Sequence, residues 1–114
     1  MTKKIPSDIF SILLILLVPV LAWWQVSLCV NTMKWDMMNY YYPTRYFMSE
    51  CLLNHTIPWW NPYIHLGYPF YADPQSGFWY PLNFLIAATT GYNIYTLQIE
   101  FSIHLVLAAF SMYK

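Results

Sequence analysis

Asp36, Arg45 and Asp73 are the charged residues best suited to chemistry in the middle of this 114-residue chain. A carboxylate such as Asp36 can take a proton from a hydroxyl as that hydroxyl attacks carbon, a general-base step typically worth about 10²–10⁴ in rate. A helix cap or a partner for Lys34 is the alternative use of the same side chain. Arg45 is the only arginine. Its planar guanidinium matches two phosphate oxygens at once; an interfacial arginine reaching for water is the competing role. Asp73, in YADPQSG, can position an acceptor or a divalent metal ion, although Asp-Pro also opens ordinary turns. No distance between Asp36 and Asp73 can be read from sequence, so carboxylate-spacing rules do not apply to them.

Around these charges lies a stretch rich in rings, IPWWNPYIHLGYPFYADPQSGFWYPLN (residues 57–83), whose only formal charge is Asp73. A pyranose has apolar C–H faces that stack on aromatic rings, and hydroxyls that need amide and carboxylate partners. The stretch supplies both. Trp59, Trp60, Tyr63, Tyr68, Tyr71 and Trp79 are candidate stacking surfaces, and Asn61, Asp73 and Gln75 are candidate hydroxyl partners. The rings equally suit anchoring at a membrane interface, where Trp and Tyr concentrate, or the core of the loop itself.

Elements must hold these groups. Charged residues make up 9% of the chain against roughly 25% in a soluble domain, and 59% is hydrophobic. The charges cancel and no basic run tracks a phosphate backbone, which argues against nucleic-acid binding. Ile9 to Val30 carries no charge over 22 positions, about 33 Å of helix, and so predicts a first transmembrane helix over 9–30 with residues 1–8 cytoplasmic. Pro19 is tolerable in such a helix, and Trp23-Trp24-Gln25 suits its outer interface. A secretory leader fits less well, because the apolar run exceeds the roughly 7–15 residues of a leader core and no small-x-small cleavage site follows.

A second span is expected over 92–113, returning to the side of Lys3 and Lys4. Residues 31–91 then form an extracytoplasmic loop, with an interfacial helix over about 43–53 that starts on Pro43 and gathers Phe47, Met48, Cys51 and Leu52 on one side. Five prolines between Pro58 and Pro81 forbid a long helix there, and Gly67 and Gly77 supply turns. YPLNFLIAATTG suits a short helix or re-entrant piece. The expected fold is therefore an all-α membrane protein fragment with two transmembrane helices. Ending so close to its last membrane residue, the chain reads as truncated after residue 114.

Remaining polar groups offer less. Glu100 and His104 lie four apart, hence on one face of the second span, where an acid near the bilayer centre costs roughly 3 kcal/mol and turns toward protein or a cavity. His55 and His65 lack a ligand constellation, and no metal site is assigned. Cys29 and Cys51 read as small hydrophobes, with a disulfide between them left open. Asn54-His55-Thr56 fits a glycosylation sequon.

Two motifs, WDMMNYYYPTRYF and the 57–83 stretch, resemble the start of the bacterial YfhO-like family of polytopic membrane proteins, of the GT-C glycosyltransferase type. The likeness covers residues 31–114. It implies a larger protein with many membrane helices, a first extracytoplasmic loop bearing the catalytic acid, and a sugar donor carried on polyprenyl phosphate. Asp36 would be that acid. Where the family pattern tends to a second glycine, this chain has Leu66. The reading is thus a bacterial cytoplasmic-membrane glycosyltransferase whose partners are the bilayer, the lipid-linked sugar and further helices of the same protein. A non-catalytic membrane protein, its aromatic loop binding a glycan or lipid head group or packing on partner helices, is the alternative.

Overall fold

Proline and glycine positions set most of the element boundaries. The computed structural model describes residues 5–112. It is mostly helical and divides into two units, residues 33–97 and residues 1–32 with 98–114.

In the second of these units, helix α1 runs over Ile5–Ala22 with Pro19 inside it. It stops eight positions short of the expected Val30. Trp23 leaves helical geometry (φ −113°, ψ 33°) and a single turn, α2 (Trp24–Ser27), follows. At this break the Trp23 ring meets Phe101 edge-on at 6.0 Å. The last helix, α5 (Ile94–Ser111), is long and apolar enough to cross a membrane, while the described apolar stretch of α1, Ile9–Ala22, is shorter. Gln98 Nε2 donates to the Asn31 carbonyl at 2.5 Å and Ser102 meets Ser27 at 3.3 Å, joining the ends of the two segments.

Residues 33–97 hold the aromatic core. A π-helical turn, Met37–Tyr41, runs directly into α3 (Tyr42–Leu53). Two short antiparallel strands follow, β1 (Trp60–Asn61) and β2 (Tyr68–Pro69), with Trp60 opposite Pro69 and Asn61 opposite Tyr68. Two 3₁₀ turns, Phe70–Ala72 and Pro74–Ser76, lead to α4 (Pro81–Thr89), which Pro81 opens and the left-handed Gly91 closes. Met48, Phe70, Phe78, Ala87, Tyr92 and Leu97 are buried together. Phe70 meets Phe47 at 5.3 Å and Phe78 at 6.3 Å, both edge to face, the arrangement the ring quadrupoles favour.

The helix at 42–53 lies within one residue of the expected range, but its buried stripe differs. Thr44, Arg45, Met48 and Ser49 are buried, three of them polar, while Phe47 and Leu52 only flank the core and Cys51 is half-buried. Those polar groups are tolerated because the loop brings partners. Thr44 Oγ1 donates to the Tyr40 carbonyl at 2.6 Å, and Ser49 Oγ accepts from the Tyr92 amide at 3.0 Å. At the start of α5, Asn93 Oδ1 accepts from the Thr96 amide (2.9 Å) and Thr96 Oγ1 from the Asn93 amide (2.7 Å), a reciprocal cap that settles two otherwise orphaned donors.

Candidate functional site

Asp36 is exposed at the entry to the π-helical turn, and its side chain makes no capping bond. Trp35 before it takes φ 60°, a left-handed conformation uncommon for a bulky residue, and its carbonyl accepts from Met38 and Asn39 at 2.9 Å each. The carboxylate therefore stands free of the turn it introduces. It is available to an outside proton donor.

The turn is held from across the loop. The Tyr40 hydroxyl donates a short hydrogen bond to Asp73 Oδ2, while Asp73 Oδ1 accepts from the Gln75 amide at 2.9 Å. Asp73 thus caps the 3₁₀ turn Pro74–Ser76 with one oxygen and clamps the π-helical turn with the other. The Tyr40 phenol is driven well above its usual range by burial first and then by its bond to Asp73. The Tyr68 hydroxyl, enclosed without a well-aligned hydrogen-bond partner among the described residues, is also raised, by burial and then by the Asp73 charge.

Arg45 does not reach for the surface. It is 7% exposed, and a methyl at Gly77 would fall inside its guanidinium and the Asn83 amide. Gly77 takes φ 61° there, so it supplies both a left-handed turn and the space the arginine fills. The arginine therefore clasps α3 to the loop. Asn83 Nδ2 adds a bond to the Gly77 carbonyl at 3.3 Å.

The ring residues divide. Trp59 and Tyr71 meet edge-on at 5.5 Å, and the Trp79 indole donates to the Tyr71 carbonyl at 2.8 Å; all three are exposed. Trp60 lies over Gly67, where a Cβ would stand 2.7 Å from its Nε1. Asn61 is buried and its Oδ1 accepts from the Tyr63 amide at 3.0 Å, while the Tyr63 ring is 82% exposed. Gln75 is exposed. Of the sequence-selected residues, Arg45 forms an inner clasp, Asp73 a clamp, Trp59, Tyr71 and Trp79 an exposed ring cluster, and Asn61 and Tyr63 line the groove described next, while Asp36, Trp60 and Gln75 lie outside these groups.

That groove has a volume of about 560 Å³ and lies between α3 and the segment after it. Pro43, Tyr46, Phe47, Glu50, Cys51 and Asn54 line it from α3 and its end, with Thr56, Asn61, Tyr63 and Ile64 completing it. Tyr46, Glu50, Asn54 and Thr56 were not selected from sequence, although 43, 46, 47, 50, 51 and 54 form a stripe of helical period that could have marked them. Burial pushes the Cys51 thiol up.

In the other unit, Glu100 is 8% exposed and His104 Nδ1 lies 2.7 Å from the Glu100 main-chain carbonyl, not paired through the carboxylate at this contact. Cys29 and Cys51 are both free thiols. Among the described residues no three His, Cys, Asp or Glu side chains converge as a metal centre would need. Comparison of the chain with protein-family models, curated proteins and solved structures finds no match in any of the three.

Proposed function

We propose that this chain is part of a membrane-embedded glycosyltransferase, similar to the YfhO-like proteins, that moves a sugar from a polyprenyl-phosphate donor on the extracytoplasmic side. The observation that carries the reading is Asp36: an exposed carboxylate between a left-handed tryptophan and a π-helical turn. Both backbone features are rare and gather at functional sites. In the reaction Asp36 takes the proton of an acceptor hydroxyl as its oxygen bonds to the anomeric carbon. The bond from that carbon to the phosphate oxygen breaks, and polyprenyl phosphate leaves with the electron pair.

Membrane embedding of both α1 and α5 belongs to the same reading. Each has 18 residues, about 27 Å of helix, against a hydrocarbon core of roughly 30 Å. Their flanks expose large apolar side chains, among them Leu13, Leu17 and Leu21 on α1 and Ile99, Leu107 and Phe110 on α5. Lipid or further helices would cover them.

A second reading rests on the exposed cluster of Trp59, Tyr71 and Trp79, which suits binding of a glycan or lipid head group without chemistry. Two sets of variants separate the two. Asp36→Asn is expected to leave the protein in the membrane and to lower transfer from a radiolabelled polyprenyl-phosphate sugar by about 10²–10⁴-fold. Transfer that survives Asp36→Asn but is lost with Trp59→Ala or Trp79→Ala would overturn the catalytic role in favour of binding.

A further inference from the structure

We infer that the groove beside α3 is a binding site for one neutral sugar unit. The binding rests on the groove's own lining and stands apart from the role of Asp36 in the transferase reading above.

The size lies within the roughly 300–1,000 Å³ usual for small-molecule sites, which are mostly apolar with a few converging polar groups. The apolar side is aromatic. Phe47 meets Tyr63 edge-on at 5.9 Å, and the Tyr63 amide donates to Asn61 Oδ1 at 3.0 Å, while the Tyr63 residue is 82% exposed. An open aromatic face carries negative charge and attracts the slightly positive C–H groups of a pyranose.

The polar side is rich in acceptors. Asn54 Nδ2 gives one of its two hydrogens to the Glu50 carbonyl at 2.7 Å, and Thr56 Oγ1 gives its hydrogen to the Cys51 carbonyl at 2.8 Å. The side-chain carbonyl of Asn54 and the lone pairs of Thr56 then remain to accept. Glu50, exposed on the same wall, offers a carboxylate that only accepts when ionised, and its charge raises the neighbouring Tyr46 phenol. Among the described residues no lysine or arginine lines the groove. A ligand that fits must bring several hydrogens to donate, show a C–H face to a ring and carry no negative charge. A phosphate or an acidic sugar meets the Glu50 charge and no cation. A neutral pyranose meets every requirement.

The test uses the protein solubilised in a detergent without a sugar head group and ligand-observed saturation-transfer NMR. Probes are methyl α-glucopyranoside, methyl α-mannopyranoside, methyl β-galactopyranoside and N-acetylglucosamine, with glucuronate and inorganic phosphate as anionic controls. At least one neutral glycoside is expected to receive saturation at its ring C–H protons, with affinity falling about tenfold in Tyr63→Ala and in Glu50→Ala. Both positions are exposed, and unchanged melting confirms that each variant folds. Binding by none of the glycosides, wild-type binding in both variants, or equal binding of the anions overturns the inference. So does saturation that reaches only the acyl chains of added lipid, which makes the groove a seat for lipid. Asp36→Asn separates this from the transferase reading: glycoside binding with transfer indifferent to Asp36 leaves the site and removes the mechanism, while Asp36-dependent transfer without glycoside binding does the reverse.

Discussion

Leu66 is the residue least suited to its backbone. It takes φ 61° between His65 at 53° and Gly67 at 100°, and its side chain is fully exposed, so nothing it touches offsets the strain. The left-handed region costs an L-residue roughly 1–2 kcal/mol, a cost glycine escapes. Leu66→Gly is therefore expected to raise unfolding stability by about 0.5–1 kcal/mol, the gain being trimmed by the looser unfolded chain. Leu66→Ala keeps the strain and serves as the control. Thermal unfolding of the two should differ, and equal melting would show that the turn is not strained at this position. Arg45 illustrates a limit on reading residues singly. Its chemistry suits phosphate, yet Gly77 offers it space inside the loop, and no property of either residue alone announces that fit.

Tyr40 and Asp73 join two elements far apart in sequence, the π-helical turn and the 3₁₀ turn Pro74–Ser76. This link has a pH signature whose sign follows from proton binding. Burial and the Asp73 carboxylate raise the Tyr40 phenol above its ordinary value of 10.0, so the folded state holds that proton more tightly than the unfolded chain does. The stabilisation is complete below about pH 10 and is lost as pH rises beyond it. Melting temperature should fall as pH rises from about pH 10 to about pH 12, and fall less steeply in Tyr40→Phe, which is already less stable at neutral pH through the loss of one charge-assisted bond. Tyr46 and Tyr68, raised too, keep part of the slope. Identical slopes in the two proteins would mean that the clamp does not form. Legibility in the sequence divides along the same line. Pro43 and Pro81 announce the starts of α3 and α4, because a proline ring fits the first helical turn and little else. The buried polar stripe of α3, the π-helical turn and the early end of α1 come with partners distant in sequence, such as Tyr92 for Ser49 and Phe101 for Trp23, and local pattern carries no trace of them.

At the scale of the molecule, the chain joins helices with exposed apolar flanks to a loop unit with its own aromatic core. Within the candidate site, sequence marked Asp36 and the Tyr63 side of the groove; the Glu50 side went unseen because acceptors on a helix surface look like solvated ones until a ring faces them. The transferase reading needs the 33–97 unit on the extracytoplasmic side, since a lipid-linked donor presents its sugar there. Leu66 is a suitable reporter: fully exposed, and distant in sequence from Asp36. In a background with Cys29 and Cys51 replaced by alanine, Leu66→Cys should react with a membrane-impermeant maleimide in intact cells. A cysteine at Lys4 should react only after the membrane is opened, because the positive residues before α1 favour the cytoplasmic side. The reverse pattern would put Asp36 with the cytoplasm, where no extracytoplasmic sugar transfer could use it, while leaving the groove and its neutral ligand to stand on their own lining.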